Sequence, residues 1–299
     1  VNAIIPTMVP EEKLSRINGI NFLFTGLIQL VGPPLAALLF QFFGNNVELV
    51  LWVDVITFLI AIIPLLLVEI PQVIDKGEES FINSSFIGDF KVGLKTLRNI
   101  PGLMILVLFS MLINFLLRPI NILLPYFINS IHGGFSFDYA LVEILFNIGI
   151  IGGAIVTSIK KQWNRKIQII LLGVILIGFF YGILKFIPIG SFLLIGFTLL
   201  LLGLPLPIIN SIYQSILQVK VPKDKMGRVL SIDQGISMMF SPLGSIIAGP
   251  LAVFMGTQNL FLFCGITMIL LTVLVYFFSN LTQMNYDEVK ADLRITIDK

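Results

Sequence analysis

Two stretches of eight residues, VPEEKLSR (Val9–Arg16) and VPKDKMGR (Val221–Arg228), decide how this chain is built. They stand 212 residues apart, and the register holds into the apolar run after each copy. Gly32 falls on Gly244, Ala36 on Ala248 and Gly44 on Gly256. Similarity at a fixed offset is the mark of a duplicated unit. The unit is a membrane one, because about 20 apolar residues cross a hydrocarbon core and the chain carries runs of that kind throughout. They fall near Ile17–Phe43, Val47–Glu69, Leu103–Phe127, Tyr139–Ser158, Ile167–Ile187, Phe192–Val219, Leu230–Phe254 and Leu260–Ser279. The first copy of the motif introduces the first of these eight spans and the second copy introduces the seventh, so one unit holds six spans. Four spans precede the second copy and none precedes the first. The expectation is a 12-helix bundle of which this chain supplies helices 5–12, with four N-terminal helices lying upstream of Val1.

Composition points the same way. Of 299 residues, 57% are hydrophobic and 12% charged, with a mean hydropathy of +0.99. Soluble domains carry about 25% charged residues, so too little polar surface is left here to coat a soluble globule. With 19 Lys and Arg against 17 Asp and Glu and no basic tract, a nucleic-acid partner is excluded. One cysteine and one histidine exclude a disulfide framework and a Cys- or His-built metal site. The chain has no HExxH, GxSxG or P-loop, so neither an enzyme nor a cofactor is expected.

Lys and Arg are retained on the cytoplasmic side of a membrane protein. Seventeen of the nineteen lie on the side of the N-terminus, in the stretches around 13–16, 76–98, 160–166, 220–228 and 290–299. Lys185 lies opposite and Arg118 lies within a span. Both termini are therefore expected in the cytoplasm of a cell in whose plasma membrane the protein sits. The expected organisation is 1–69 as the end of an N-terminal half-bundle (two helices) and 70–100 as a cytoplasmic loop between halves. Residues 101–279 then form a C-terminal six-helix half-bundle and 280–299 a cytoplasmic tail.

Polar residues recur at helical spacing on five spans, and intramembrane polar groups face a cavity or a partner. The stripes are Asn18, Asn21, Thr25 and Gln29; Ser110, Asn114, Arg118 and Asn121; Tyr139, Glu143 and Asn147; Gly203, Pro207, Asn210 and Gln214; and Asp233, Ser237, Ser241 and Ser245. The second, fifth and eighth spans are apolar nearly all round and read as outer supports. Five stripes together predict a solute pathway, with Gln29, Asn114, Asn147, Asn210 and Gln214 on its wall. Pro205 and Pro207 break the sixth span near its middle, which exposes carbonyls to solute or provides a hinge.

For the ionisable groups two readings stand. Arg118 and Glu143 lie at similar depth, so they either pair to hold and release a proton or each reach outward to the interface. Asp54 is either a proton carrier or a clasp between helices. Asp233 reads as a helix-start residue favoured by the helix dipole. Trp163 reads as an interface anchor and His132 as an outer-loop residue.

These residues carry a resemblance to the major facilitator superfamily, in its drug-efflux branch, which includes bacterial macrolide exporters and enterobactin exporters. The stretch from Val9 through Arg16-Ile17-Asn18-Gly19 is similar to the loop before the family's fifth helix, and Val221 through Arg228 to the loop before its eleventh. Gly26 with Gly32-Pro33-Pro34-Leu35-Ala36-Ala37 resembles the family's antiporter motif, with alanines at two usual glycine positions. Arg16 and Arg228 take the places of loop-motif cations. The resemblance implies an all-α membrane bundle embedded in lipid that exports an amphipathic small molecule by alternating access, coupled to protons. A macrolide-like drug and a siderophore both suit it, and a non-transporting fragment or scaffold is the competing reading.

Overall fold

A computed structural model describes residues 13–44, 46–67, 86–160, 163–279 and 281. Ten α-helices account for most of them, and no strand occurs among the described residues: α1 (Leu14–Phe42), α2 (Val47–Leu67), α3 (Phe86–Asn99), α4 (Leu103–Tyr126), α5 (Ser136–Ile159), α6 (Lys166–Ile183), α7 (Phe192–Gly203), α8 (Pro205–Lys220), α9 (Met226–Met255) and α10 (Thr257–Phe278). A π-helical turn, Phe127–Ile131, extends α4. Five segments among the described residues are long and apolar enough to cross a membrane: Leu103–Ile131, Phe137–Ile159, Lys166–Phe186, Phe192–Lys220 and Thr257–Phe278. Helices α1, α2 and α9 coincide with the other three expected spans. The duplication is visible in the helices, since α1 starts at Leu14 and α9 at Met226, the same 212 residues apart. The Val9–Glu12 part of the first motif and the expected tail lie outside the described residues, except for Leu281, which is buried.

The chain forms helices because its apolar runs contain few breakers, and it turns where glycine frees the backbone. Gly190, between α6 and α7, has φ +81°, a left-handed conformation that glycine adopts without a Cβ clash. The sixth expected span is indeed broken: α7 ends at Gly203 and α8 starts at Pro205, which lacks the N–H to continue the ladder.

Lipid is as apolar as leucine, so burying apolar surface does little to hold membrane helices together, and close packing must do it. Gly153 illustrates the point. A Cβ there would collide with the Leu204 carbonyl oxygen and meet Pro207 Cγ at 2.8 Å, so glycine lets α5 lie directly on the α7–α8 junction. Helix α5 packs on α1, α7 and α8; α6 on α7, α8 and α10; and α9 on α3, α4 and α10. Large apolar side chains such as Leu172, Phe179, Phe197, Leu270 and Phe277 point outward, as a lipid-facing surface requires.

The structure adds one helix to the expected picture and corrects two expectations. The stretch expected as an inter-half loop contains helix α3, whose Gly93 sits against the Arg228 backbone and Ile232 of α9. Trp163 is buried rather than anchored at an interface, with Lys160 Nζ 4.1 Å above its ring. His132 is buried as well, stacked on Phe127 with centroids 4.4 Å apart. Neither of its ring nitrogens has a hydrogen-bond partner among the described residues. Burial lowers the His132 pKa from its usual value, opposed by the nearby Pro188 carbonyl, which lies outside hydrogen-bonding geometry.

Candidate functional site

Helices α4, α6 and α8 enclose a cleft of about 470 Å³, counting the open space at its mouth. Ligand sites for small molecules are mostly apolar with a few polar groups. The walls here fit that description. Leu106, Phe109, Ile113 and Leu117 of α4, Ile170, Val174 and Ile177 of α6, and Leu206 and Ile209 of α8 form the apolar part. Ser110, Asn114, Asn210 and Tyr213 supply the polar groups. Two of the five expected pathway residues, Asn114 and Asn210, thus meet across one cleft from different helices. Asn114 Nδ2 donates to the Ser110 carbonyl at 2.9 Å, which leaves its own carbonyl oxygen available to a solute.

The fifth span, α6, was expected as an outer support, yet its Ile170, Val174 and Ile177 form one wall of the cleft. An apolar wall is what an amphipathic solute needs opposite the amides.

Beside the cleft the Tyr213 hydroxyl donates to Asp233 Oδ1 at 2.5 Å, tying α8 to α9. Asp233 is the eighth residue of α9, two turns in, so it is not the helix-start residue expected from the sequence.

The opposite face of α8 binds α1. Asn18 Nδ2 donates to Gln218 Oε1 at 2.9 Å, the Ser211 hydroxyl donates to the Ser15 carbonyl at 2.5 Å, and the Ser15 and Ser211 hydroxyls lie 3.4 Å apart. All four residues are buried. They form a polar clasp where α1 begins and α8 ends. The signal was present in the sequence as the Asn18 stripe, but its partner Gln218 lies four residues beyond the last member of the α8 stripe.

The remaining expected residues lie elsewhere. Gln214 is on the clasp side of α8, with a buried Oε1 that has no partner among the described residues. Asn147 Nδ2 donates to the Glu143 carbonyl at 2.9 Å on α5, away from the cleft lining. Nothing is described of the Gln29 side chain. Glu143 Oε1 accepts a 2.9 Å bond from the Tyr139 hydroxyl on its own helix, whereas Arg118 lays its Cβ and Cγ over Gly244 of α9. No ion pair joins Arg118 to Glu143 among the described residues. Asp54 is exposed on α2, and among the described residues no side chain bonds to its carboxylate.

Of the antiporter-like motif, Gly26 is buried against Ile150 and Ile151 of α5, and Gly32 has open space beside it. Helix α1 runs on through Pro33 and Pro34. Arg16 is exposed and Arg228 half-buried, each in the first turn of its helix.

Comparison with known proteins supplies the family. The sequence model of the Major Facilitator Superfamily matches residues 1–234. Macrolide efflux protein A of Streptococcus pyogenes is 26% identical over 273 residues, which is 91% of this chain and 66% of that protein. A macrolide efflux protein A of Enterococcus faecalis is 27% identical over 244 residues, 82% of this chain and 74% of its own length. The multidrug efflux pump Tap of Mycolicibacterium fortuitum is 23% identical over 286 residues, 93% of this chain and 68% of the pump. The chain therefore spans just under two thirds of the length of the streptococcal relative. A family match over more than half the chain, on an all-helical bundle with five described spans long enough for a bilayer, makes the conclusion plain: this chain is a multi-pass membrane protein belonging to the Major Facilitator Superfamily, a family of transporters rather than enzymes.

Proposed function

We propose that the protein exports amphipathic small molecules of macrolide-like character from the cell by alternating access, driven by the proton gradient. The observation that carries this reading is the cleft between α4, α6 and α8, where Asn114 and Asn210 face apolar walls. Such a lining holds a ligand by area and orients it with a few hydrogen bonds. The enclosed part is smaller than a drug-sized molecule, so admission requires the helices to part.

The clasp supplies the element that parts. With α1 belonging to the N-terminal half and α8 to the C-terminal half, Asn18–Gln218 and Ser15–Ser211 join the two halves at their cytoplasmic ends. Clasped, the bundle is closed to the cytoplasm; unclasped, it admits substrate from that side. The distribution of Lys and Arg supports this sidedness and a plasma-membrane location, with both termini in the cytoplasm. The names of the streptococcal and enterococcal relatives favour a macrolide over a siderophore as the cargo.

The test is accumulation of radiolabelled erythromycin by cells lacking other macrolide exporters. Expression of the full-length protein lowers accumulation, a protonophore restores it, and Asn114→Leu with Asn210→Leu restores it while membrane levels stay normal. Accumulation equal with and without the protein refutes the reading.

A further inference from the structure

Beside the cleft, α9 carries a half-buried carboxylate that makes no ion pair among the described residues. We infer that Asp233, held by the Tyr213 hydroxyl, is the proton-binding residue that couples the gradient to movement of α8. The inference rests on the export reading above and names the residue through which coupling acts.

Depth is the first support. Ser110 is seven residues into α4, Tyr213 seven residues before the end of α8 and Asp233 seven residues into α9. At 1.5 Å per residue each lies about 10 Å from the same end of the bundle. The three therefore form one layer, with Ser110 and Tyr213 on the cleft wall and Asp233 directly behind Tyr213. Ionisable residues inside membrane spans are costly and mark ion and solute pathways.

The surroundings are the second support. Helix α9 packs on α3, α4, α10 and the short 3-10 turn Lys223–Lys225, and meets α8 at Tyr213. Helix α10 carries no Asp, Glu, Lys or Arg. On α4, Arg118 lies over Gly244, eleven residues and about 16 Å along α9 from Asp233. Lys91, Lys95 and Arg98 of α3 are exposed, and Lys223 and Lys225 lie beyond the start of α9. Among the described residues Asp233 makes no ion pair with any of these cations; Arg228 stands five residues before it, in the first turn of α9.

The consequence for α8 follows from its two faces. On one, Tyr213 is tied to Asp233; on the other, Ser211 and Gln218 are tied to α1. A hydrogen bond to an ionised acceptor is roughly twice as strong as a neutral one. A proton arriving on the Asp233 carboxylate converts it to a neutral acid, with no other bond made or broken, and weakens the tie that holds α8 on α9. Loss of the proton to the other compartment restores it.

The experiment uses everted membrane vesicles containing the full-length protein and radiolabelled erythromycin, in two modes. Uptake against a concentration gradient is driven by an acid interior, and counterflow exchange is measured without a pH difference. Asp233→Asn keeps an oxygen to accept the Tyr213 bond but cannot take a proton. The expected result is counterflow within about twofold of wild type and gradient-driven uptake reduced at least tenfold, with partial recovery in Asp233→Glu. Tyr213→Phe removes the donor and displaces the pH dependence of uptake. Wild-type gradient-driven uptake in Asp233→Asn overturns the assignment while coupling itself stands. Loss of both modes in Asp233→Asn, with an unmoved pH dependence in Tyr213→Phe, makes the pair a structural tie and also overturns it. If the wild type exchanges erythromycin but ignores the pH gradient, the coupling reading fails and takes this assignment with it.

Discussion

Replacing Asn18 with alanine tests the clasp at its strongest point. Asn18 is 2% exposed and donates at 2.9 Å to Gln218, which is 4% exposed. Side-chain hydrogen bonds between membrane helices average about 0.6 kcal/mol in double-mutant cycles and reach about 1.7. At RT of about 0.59 kcal/mol, that range shifts the clasped-to-unclasped ratio by roughly 3- to 18-fold. The shift is readable with a thiol probe, because the chain has a single cysteine and Cys264 is buried. Ser215→Cys introduces a thiol on the same face of α8 as Ser211 and Gln218, at a position 1% exposed. In vesicles, its labelling by a membrane-permeant maleimide rises by that 3- to 18-fold factor when Asn18→Ala is added. In a Gln218→Ala background, adding Asn18→Ala produces a smaller rise, since the pair shares one interaction. Labelling that stays within twofold of the Ser215→Cys parent, in protein that remains folded, refutes the clasp as a barrier between states.

Other consequences are simpler to measure. Gly153→Leu forces a side chain into the Leu204 carbonyl and lowers stability by about 1–3 kcal/mol, read as a fall of roughly 2–10 °C in detergent melting. Gly152→Ala, which meets nothing within 4 Å, leaves the midpoint unchanged. His132 has a lowered pKa in the folded state, so the neutral ring favours folding. That contribution is complete above the unfolded value of about 6.5 and is lost as pH falls below it through the folded value. Melting midpoints therefore drop between pH 7.5 and pH 5, and His132→Phe, which keeps the stack on Phe127, flattens the drop. Asp54→Asn, at an exposed site on α2, leaves both melting and erythromycin efflux at wild-type levels.

The helices were legible because an apolar run needs no tertiary context to be read. The 212-residue offset between the two motif copies recurs between the helix starts Leu14 and Met226, a few residues before the expected Ile17 and Leu230. The cleft amides were legible for a related reason: Asn114 and Asn210 each belong to a stripe, and a stripe must face something. Contacts between helices were not legible. Arg118 and Glu143 were matched by depth, but depth says nothing about azimuth, and Arg118 turns toward Gly244 on α9 while Glu143 pairs with Tyr139 on α5. Asp233 was misread because its span was counted from Leu230, whereas the helix begins at Met226 and places the half-buried Asp233 two turns in. Helix α3 was hidden by its charges, although Phe90, Gly93, Leu94 and Leu97 already sit at the spacing of a single helical face.

The central claim is that solute passes through the cleft of α4, α6 and α8, and substrate protection tests it most directly. Asn114 is exposed at the cleft, so Asn114→Cys is open to maleimide while Cys264 stays buried. The labelling rate is measured in vesicles with and without saturating erythromycin. A cleft that holds the macrolide slows labelling at least fivefold, and a reagent-matched cysteine on α2 at Asp54 is unaffected. Equal rates at Asn114→Cys in the presence and absence of a macrolide that the vesicles demonstrably bind put the solute path elsewhere and contradict the account.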